Sequence, residues 1–427
     1  MRNTRVLVLI GGVVIAASIP AGSGLASTVA GPPGAAASAP SVLTGPAAPV
    51  TLSFLDGVYC TSRRDCWAVG LRLAPTAAII NQILHWTGTK WRAVRAPDPA
   101  GTINGATNAL AAVRCATARD CWAVGYSSKG GRTLNSMLHW NGHAWFATRT
   151  PQPAGTGAGA RNQLTDVTCS SARDCWATGY FGKPGSSTLN QILHWNGKSW
   201  SRLRVPEPAG TSKTSTNVLY SVRCPSSRRC LAVGTSWTTS QTKSFNQAQT
   251  WAGRSWARQQ VPSPGSGSAS HIDQLSSLGC GSRTSCFAVG YVSLPGKKLL
   301  SQALHWNGRS WSRSFTPQPA GTGSGDQNEL GWVTCTSERD CWAVGYSGHE
   351  GPPTVLRNQA EHWNGRRWVY VHTPNPASKT NDIDLLMSVR CTDAANCWAV
   401  GGQNHADNVT DEVLHWNGKK WSVWLIA

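Results

Sequence analysis

Fourteen cysteines are the residues whose type and spacing most directly indicate chemistry in this chain. They fall into seven C-x5-C pairs with none left over, and successive pairs are 54 to 56 residues apart. This is not a zinc-knuckle spacing, and no second pair lies nearby in each copy, so we expect disulfides and not metal sites. The predicted bridges are Cys60–Cys66, Cys115–Cys121, Cys169–Cys175, Cys224–Cys230, Cys280–Cys286, Cys335–Cys341 and Cys391–Cys397.

Six histidines stand at equivalent positions, each directly before a tryptophan. A ring of six imidazoles could bind metal, but each belongs to a different copy of the repeat and would lie beyond ligand distance of the others. We therefore interpret them as packing or hydrogen-bonding residues. They are His85, His139, His194, His305, His362 and His415.

Acidic residues are scarce, and no pair of carboxylates is singled out as a glycosidase would require. The chain has no Gly-rich phosphate loop and no G-x-S-x-G motif. The sequence therefore predicts no catalytic residue, no metal site and no cofactor.

A polar residue stands two positions before the leucine that begins the first strand of most copies. If the copies surround an axis, these residues would ring its mouth and could bind a ligand or an ion. The alternative is that Asn and Asp close the loop that leads into the strand. They are Asn108, Asn162, Asn217, Asp273 and Asn328, and Asp382 and Asp384 are the nearest equivalents in the last copy.

Basic residues are concentrated in two sets of repeated loops, and the formal net charge is +19. These loops carry sixteen Arg and Lys against six carboxylates, which we expect on one face of the molecule. The charge serves either solubility or attraction to a polyanion. The binding residues predicted on this basic face are Arg63, Arg64, Arg119, Arg173, Arg228, Arg229, Arg283, Arg339, Arg366, Arg367, Lys419 and Lys420.

The repeat itself predicts the elements that position these residues. In the third copy, Leu164–Cys169 and Cys175–Tyr180 read as two strands joined by the disulfide loop, and Leu189–Trp195 and Ser199–Val205 as two more. We expect a two-residue Asn-Gly turn with positive φ angles between the last two. Four antiparallel strands, seven times over, predict an all-β fold: a seven-bladed β-propeller with one local disulfide per blade.

Nineteen of the 22 tryptophans stand at repeated positions, where we expect packing between blades and not exposed sugar-stacking rings. With a two-residue turn, the rings that flank it, such as Trp140 and Trp145, would lie diagonally on one face of the blade.

The N-terminus has the pattern of a secretory signal peptide over residues 1–30, with Arg2 and Arg5 before an apolar stretch. The alternative is an uncleaved membrane anchor, for which the apolar stretch is short. Residues 31–50, rich in Ala, Pro, Gly and Ser, read as a disordered linker, and residues 51–427 as the propeller. An even cysteine count behind a signal peptide indicates an oxidising, extracellular compartment.

The turn between strands three and four resembles that of the Asp-box (BNR) propellers, which include sialidases and photosystem-assembly-factor repeats. Gly197, Ser199 and Trp200 fit the second half of the pattern Ser-x-Asp-x-Gly-x-Thr-Trp, whereas Leu193 and Trp195 replace its Ser and Asp. The run Cys-Trp-Ala-Val-Gly is similar to the Gly-Trp-Ala-Val-Gly strand of the assembly-factor type. The resemblance implies a propeller; because the Asp box is structural, it carries over no catalytic residue.

We expect a secreted, monomeric, non-catalytic binding or scaffold protein, which engages an acidic cell-wall polymer or glycan, or another protein, through its basic face. Secretion argues against nucleic acid as a partner, and we expect no membrane span after the signal peptide. One alternative is a sialidase-like or other glycan-active enzyme with an acidic pocket at the axial mouth of the opposite face. The other is a multivalent lectin with a polar-aromatic pocket between each pair of blades.

Overall fold

The computed structural model describes residues 4–10, 13–19, 51–237, 243–268, 270–296, 298–351, 354–377, 383–405, 408–424 and 426. These residues form strands, turns and loops and no helix, which confirms the predicted all-β class. None of the described segments is a helix long and apolar enough to cross a membrane. Within the predicted signal peptide, β1 (Thr4–Ile10) and β2 (Val13–Ile19) pair antiparallel.

Each copy of the repeat contributes four strands in chain order. In repeats 1 to 4 these are β3 (Ser53–Ser62), β4 (Asp65–Leu73), β5 (Ile79–Trp86), β6 (Trp91–Ala93); β7 (Thr107–Thr117), β8 (Asp120–Lys129), β9 (Arg132–Trp140), β10 (Trp145–Ala147); β11 (Arg161–Ser171), β12 (Asp174–Gly182), β13 (Leu189–Trp195), β14 (Trp200–Leu203); and β15 (Thr216–Ser226), β16 (Arg229–Trp237), β17 (Ser244–Trp251), β18 (Trp256–Gln259). In repeats 5 to 7 they are β19 (Ile272–Cys280), β20 (Cys286–Leu294), β21 (Lys298–Trp306), β22 (Trp311–Ser314); β23 (Asp326–Ser337), β24 (Asp340–His349), β25 (Val355–Trp363), β26 (Trp368–Tyr370); and β27 (Ile383–Asp393), β28 (Asn396–His405), β29 (Asn408–Trp416), β30 (Trp421–Val423).

Within every repeat the four strands pair antiparallel in sequence order. The pairing does not stop there, as seven separate four-stranded sheets would require: the repeats merge into sheets of 12, 4 and 12 strands. The reason is a single parallel pair between strand three of one repeat and strand one of the next, such as Ile79 with Thr107. Repeat 4 forms the four-stranded sheet, and only isolated bridges connect it to its neighbours, for example Thr188 with Thr216.

The first strands of neighbouring repeats contact one another along the whole series: β3 contacts β7, and so on to β27, which contacts β3. The last repeat therefore packs against the first. At this junction Leu52 forms a parallel bridge with Val409. Beside it, the backbone N–H and the Oγ1 of Thr51 lie 3.0 and 2.9 Å from Asn408 Oδ1.

A glycine in strand two of each repeat allows strand one to bulge. In repeat 3 the ladder between β11 and β12 shifts register between Leu164 and Asp166. Opposite the bulge, a Cβ on Gly179 would lie 1.9 Å from Gln163 O, so no other residue fits there without moving the backbone. The equivalent glycines 70, 125, 234, 290, 345 and 401 make the same close approach.

All seven predicted disulfides are present, each within its own repeat, and no described cysteine is free. They join strands one and two, and in six of the seven repeats the paired cysteines stand opposite each other in the ladder.

The repeated tryptophans pack between repeats, as expected. The strand-two ring of one repeat contacts two rings of the next: Trp67 lies 4.8 Å from Trp140 and 5.3 Å from Trp145, between ring centroids. Across the junction of repeats 7 and 1, Trp398 lies 4.8 Å from Trp86 in the same way. Aromatic pairs at these distances add to the apolar area that they bury.

The turn between strands three and four differs from the prediction. Trp140 and Trp145 are register partners, so the rings stand directly opposite each other and the loop has four residues. Only the glycine has a positive φ, 92° at Gly142. The asparagine caps the loop instead, because Asn141 Oδ1 accepts hydrogen bonds from the backbone N–H of His143 at 2.9 Å and of Ala144 at 3.0 Å.

Polar side chains of strand three, most of them amides, are hydrogen-bonded across six of the seven junctions between repeats. Asn135 Nδ2 donates to Gln191 Oε1 at 3.0 Å, and Gln191 Nε2 donates back to Asn135 Oδ1 at 3.1 Å. In the last repeat the equivalent residues are acidic, and Gln82 of repeat 1 donates to Asp411 at 2.5 Å. The remaining links join Asn190 to Gln247, Asn246 to Gln302, Ser301 to Gln359 and Asn358 to Glu412.

Candidate functional site

The disulfide loops and the turns between strands three and four lie at one end of the repeats, which we call the basic end. In repeat 3 the turn packs on the loop, since a Cβ on Gly197 would lie 3.0 Å from Arg173 Cγ. Trp195 Nε1 also donates to Ala172 O at 3.1 Å. The turn glycines 88, 142 and 365 contact Arg64, Arg119 and Arg339 in the same way.

The twelve cations predicted on the basic face are all exposed. Of these, Arg63 forms a two-pronged ion pair with Asp393 of repeat 7, with both N–O distances at 2.7 Å. The Arg63 side chain is still 64% exposed, so the pair contributes little to stability. The basic end therefore presents guanidinium and ammonium groups from every repeat to solvent.

The six predicted histidines are held singly and do not converge. His85 Nε2 lies 2.6 Å from Asp65 Oδ1, and its ring stacks on Trp67 with centroids 4.0 Å apart. The described residues contain no group of three or more His, Cys, Asp or Glu that could hold a metal. The other five partners are Asp120 with His139, Asp174 with His194, Ser285 with His305, Asp340 with His362, and Asn396 with His415.

These pairs engage four of the six carboxylates of the basic end. Burial raises the pKa of Asp65, but hydrogen bonds from His85 and Thr61 outweigh it, and the net effect lowers that pKa. The pKa values of Asp174 and Asp340 are lowered by the same combination. These lowered pKa values favour the ionised form of Asp65, Asp174 and Asp340, each of which faces a histidine of its own repeat.

The polar residues predicted at the opposite mouth are buried and bonded to backbone. Asn108 Oδ1 accepts from Ala100 N at 2.9 Å, and its Nδ2 donates to Gly101 O at 3.0 Å and to Ile79 O at 3.3 Å. These contacts tie the loop before strand one to the preceding repeat. Asn162, Asn217 and Asn328 repeat all three contacts, Asp273 and Asp384 accept one loop N–H each, and Asp382 lies outside the described residues.

A cavity of about 480 Å³ opens at the basic end, surrounded by strand one of all seven repeats. We call it the axial cavity. Its lining includes the residue directly before the first cysteine of each repeat: Tyr59, Arg114, Thr168, Arg223, Gly279, Thr334 and Arg390. Arg283, from a disulfide loop, is the fourth arginine in the lining, and no carboxylate is part of it.

Two of the arginines pack on the ring of one tyrosine. The guanidinium carbon of Arg390 lies 4.5 Å from the ring centroid of Tyr59, and that of Arg114 lies 4.6 Å from it. This arrangement spans repeats 7, 1 and 2, so it depends on the contact between the last repeat and the first. Burial raises the pKa of Tyr59, but the charges of Arg390 and Arg114 outweigh it and lower that pKa.

The third arginine is anchored by a buried carboxylate. Arg223 donates to Asp166 Oδ2 at 2.5 Å, and its guanidinium lies 5.3 Å from the ring of Trp332. Asp166 is 1% exposed and also accepts from Ser221 Oγ at 2.7 Å and from Val222 N at 3.1 Å. The cavity is therefore lined by four arginines, and the carboxylate of Asp166, which is not part of the lining, neutralises one of them, Arg223.

Burial and mutual repulsion act on these guanidiniums. Burial lowers the pKa of Arg223 to about 10, with a further contribution from Arg114. Burial also lowers the pKa of Arg390 to about 10, against the opposing effect of Tyr59. Both side chains remain protonated at neutral pH, and both would gain from an anion in the cavity.

A second cavity of about 220 Å³ lies farther along the axis, and Trp332 borders both cavities. It is lined by the carboxyls of Asp56 and Glu329 and by Tyr126 and Tyr220, among others. Burial raises the pKa of Asp56 and of Glu329 to about 8. Glu329 accepts a hydrogen bond from Tyr346 at 2.8 Å.

Sequence reasoning missed the axial residues because it treated strand one as framework. A signal was available, since the position before the first cysteine holds Arg in three repeats and Tyr, Thr or Gly in the others. A scaffold position in a repeat would be expected to vary less in size and charge. Trp332, one of three tryptophans outside the repeated positions, is a second such departure.

No family model and no curated protein matches this chain. Among solved structures it is similar to a puromycin hydrolase mutant over 88% of this chain and 53% of that chain, with 10% identity and a TM-score of 0.51. It is also similar to the GH74 xyloglucanase of Xanthomonas campestris over 86% of this chain and 54% of that one, with 14% identity and a TM-score of 0.49. The chain thus spans about half of each protein.

A third similar structure is the fungal lectin of Aleuria aurantia, described as a six-bladed β-propeller that recognises fucose. The match covers 72% of this chain and 92% of the lectin, with 12% identity and a TM-score of 0.42. At such identities a likeness concerns the fold alone, and of these three matches the one to the hydrolase has a TM-score above 0.5.

Proposed function

We propose that the seven repeats are the blades of a closed seven-bladed β-propeller. Three contacts between repeats 7 and 1 support closure: the first strands touch, Trp398 packs on Trp86, and Gln82 donates to Asp411. The surrounding of one cavity by strand one of every repeat also fits a central axis. Among the described strands none is exchanged between the ends, because β3 and β30 each pair within their own repeat.

We further propose that this propeller is a secreted, monomeric, non-catalytic module that binds anionic polymers, such as acidic glycans, at its basic end. The observation that carries the proposal is the axial cavity, which places four arginines and no carboxylate at the centre of an end already covered by exposed cations. Charges spread over seven repeats act together on a polyanion, so we expect multivalent and salt-sensitive binding.

The second cavity favours binding over catalysis. Glycoside hydrolysis needs one carboxyl to act as an acid while its partner is ionised. With both pKa values raised to about 8, Asp56 and Glu329 are mainly protonated at neutral pH and neither supplies the ionised partner.

The test is retention of the secreted protein on heparin-agarose across a sodium chloride series. The reversal of Arg228, Arg229, Arg366 and Arg367 to Glu removes two exposed clusters of the basic end and should lower the eluting salt concentration at least twofold. The matched control reverses Lys129, Arg132, Lys183 and Lys213, four exposed cations outside the basic end, with the same change in net charge. Retention that ignores salt, or that both variants reduce equally, would contradict the proposal.

A further inference from the structure

The axial cavity contains an arginine with one buried donor that no described residue accepts. Arg390 Nε is buried and has no acceptor among the described residues. The guanidinium packs over the ring of Tyr59. This contact is a cation–π interaction, so it does not accept a hydrogen bond from the N–H groups, which lie in the plane of the guanidinium. Buried donors normally have partners, so this one points to a missing acceptor.

The neighbouring arginines are only partly engaged. The hydrogen bond of Arg114 to the backbone is long, 3.5 Å from Nε to Val167 O. Arg223, by contrast, is neutralised by Asp166 at 2.5 Å. Arg390 and Arg114 therefore both lie against the ring of Tyr59 at the wall of one cavity. Of the two, Arg390 has a buried donor with no acceptor among the described residues.

The scaffold does not require this arrangement. At the same position, repeats 3 and 6 carry Thr168 and Thr334 and repeat 5 carries Gly279, with the same strand pairing. Burial of these guanidiniums is unfavourable, and repulsion by Arg114 adds to it; together they lower the pKa of Arg223 and of Arg390. Arginines at this position depart from the repeat and are unfavourable for stability. Such a departure is typical of a binding site.

We propose that the axial cavity binds one anionic sugar residue, with Arg390 and Arg114 holding its oxyanion group. The shared chemistry is a carboxylate, sulfate or phosphate on a sugar ring, which Arg recognises through paired N–H groups. Trp332 supplies aromatic surface for the ring, and Thr168, Thr334 and Ser282 supply hydroxyls. The inference rests on the proposed function, since it makes this cavity the site that binds one sugar residue of the anionic polymer.

The size of the cavity supports one residue and not an extended chain. Its volume of about 480 Å³ is at the lower part of the range for small-molecule sites, roughly 300–1,000 Å³. A polymer would enter by its end or by one branch, while its remaining charges lie on the exposed cations around the mouth.

The experiment titrates the secreted protein by calorimetry with glucuronate, glucose 6-sulfate, glucose 6-phosphate, glucose and inorganic phosphate. We expect one-to-one binding of at least one charged sugar and no binding of glucose. Arg390→Gln should weaken that binding at least tenfold, and Arg390→Lys, which keeps the charge but not the fork, should weaken it less. The paired variant Lys183→Gln/Lys213→Gln, at two exposed cations outside the basic end, should leave it within twofold.

Failure of this inference is distinguishable from failure of the proposed function. If the charged sugars do not bind, or glucose binds equally well, the inference is overturned whatever the heparin result. If inorganic phosphate binds as tightly as the phosphorylated sugar, the cavity is an ion site and the sugar assignment is overturned. If a charged sugar binds and Arg390→Gln abolishes it while retention on heparin ignores salt, the inference stands and the polymer proposal fails. Circular dichroism and thiol counting on each variant confirm that the fold is intact.

Discussion

Asp166 is the residue whose replacement tests the electrostatic account of the axial cavity most directly. Its carboxylate is 1% exposed and accepts hydrogen bonds from Ser221, Val222 and Arg223 of the next repeat. Asp166→Asn preserves the shape of the side chain but removes its negative charge. Only one oxygen then remains to accept from Ser221, Val222 and Arg223, which all donate to Oδ2. Arg223 would then be a buried guanidinium without its anion.

The expected cost follows from the kind of interaction that is lost. Breaking a buried ion pair by removing one partner costs about 3–5 kcal/mol, because the other charge stays buried and unpaired. Replacing both members costs less, since no unpaired charge is left. We therefore expect Asp166→Asn to lower the free energy of unfolding by about 3–5 kcal/mol, and the double variant Asp166→Asn/Arg223→Gln to recover about half of that.

The assay is equilibrium unfolding in guanidinium chloride at pH 7 with the disulfides intact, followed by tryptophan fluorescence. A double-mutant cycle with Arg223→Gln should give a coupling energy of at least about 2 kcal/mol. Additive effects of the two changes, or a loss below about 1 kcal/mol for Asp166→Asn, would refute the reasoning. Such a result would mean that Arg223 finds water or another acceptor in the cavity.

Two further predictions concern the whole fold. Burial raises the pKa of Glu329 and of Glu361 to about 8, so the folded state binds more protons than the unfolded state above pH 4.5. We expect the free energy of unfolding to rise as pH falls from 9 to 6, by up to about 1 kcal/mol per pH unit for each group. Below pH 6.5 the gain should level off, because burial lowers the pKa of His305 and His415. Urea unfolding at several pH values checks this, and an unchanged pH slope in Glu329→Gln/Glu361→Gln would contradict it. The second prediction concerns Cys169→Ser/Cys175→Ser, which opens a loop of sequence separation 6 and should cost about 2 kcal/mol. The parent should show no free thiols on denaturation, and two or more would disprove the pairing.

The repeat pattern correctly predicted the disulfides and the strands that they join, because both depend on spacing within one repeat. Seven cysteine pairs of equal spacing could close only small loops, and the alternation around Cys169 and Cys175 placed the two strands correctly. The prediction was wrong at the Asn-Gly turn, because Asn141 uses its side chain to cap two N–H groups and does not adopt a positive φ. A dipeptide preference does not reveal which of these two uses an asparagine will have.

Features that depend on contacts between repeats were harder to predict. The Asn-Gln pair in strand three, such as Asn190-Gln191, is visible as a recurring polar step, but its partner is more than fifty residues away. The axial cavity likewise joins side chains from all seven repeats, and its charge depends on which repeats become neighbours. Arg390 and Arg114 are distant in sequence and share Tyr59 only because repeat 7 returns to repeat 1.

The junction of repeats 7 and 1 has a consequence for the order in which a gene can encode the seven repeats. Because each repeat supplies its own four strands, the junction between the chain's two ends is built like the others, from a strand bridge, an aromatic contact and a polar link. A circularly permuted chain that began at another repeat would have the same pairings to make. The order of the repeats in the gene therefore determines which junction lacks a peptide connection, and exchange of whole repeats would leave the antiparallel pairs within each repeat intact.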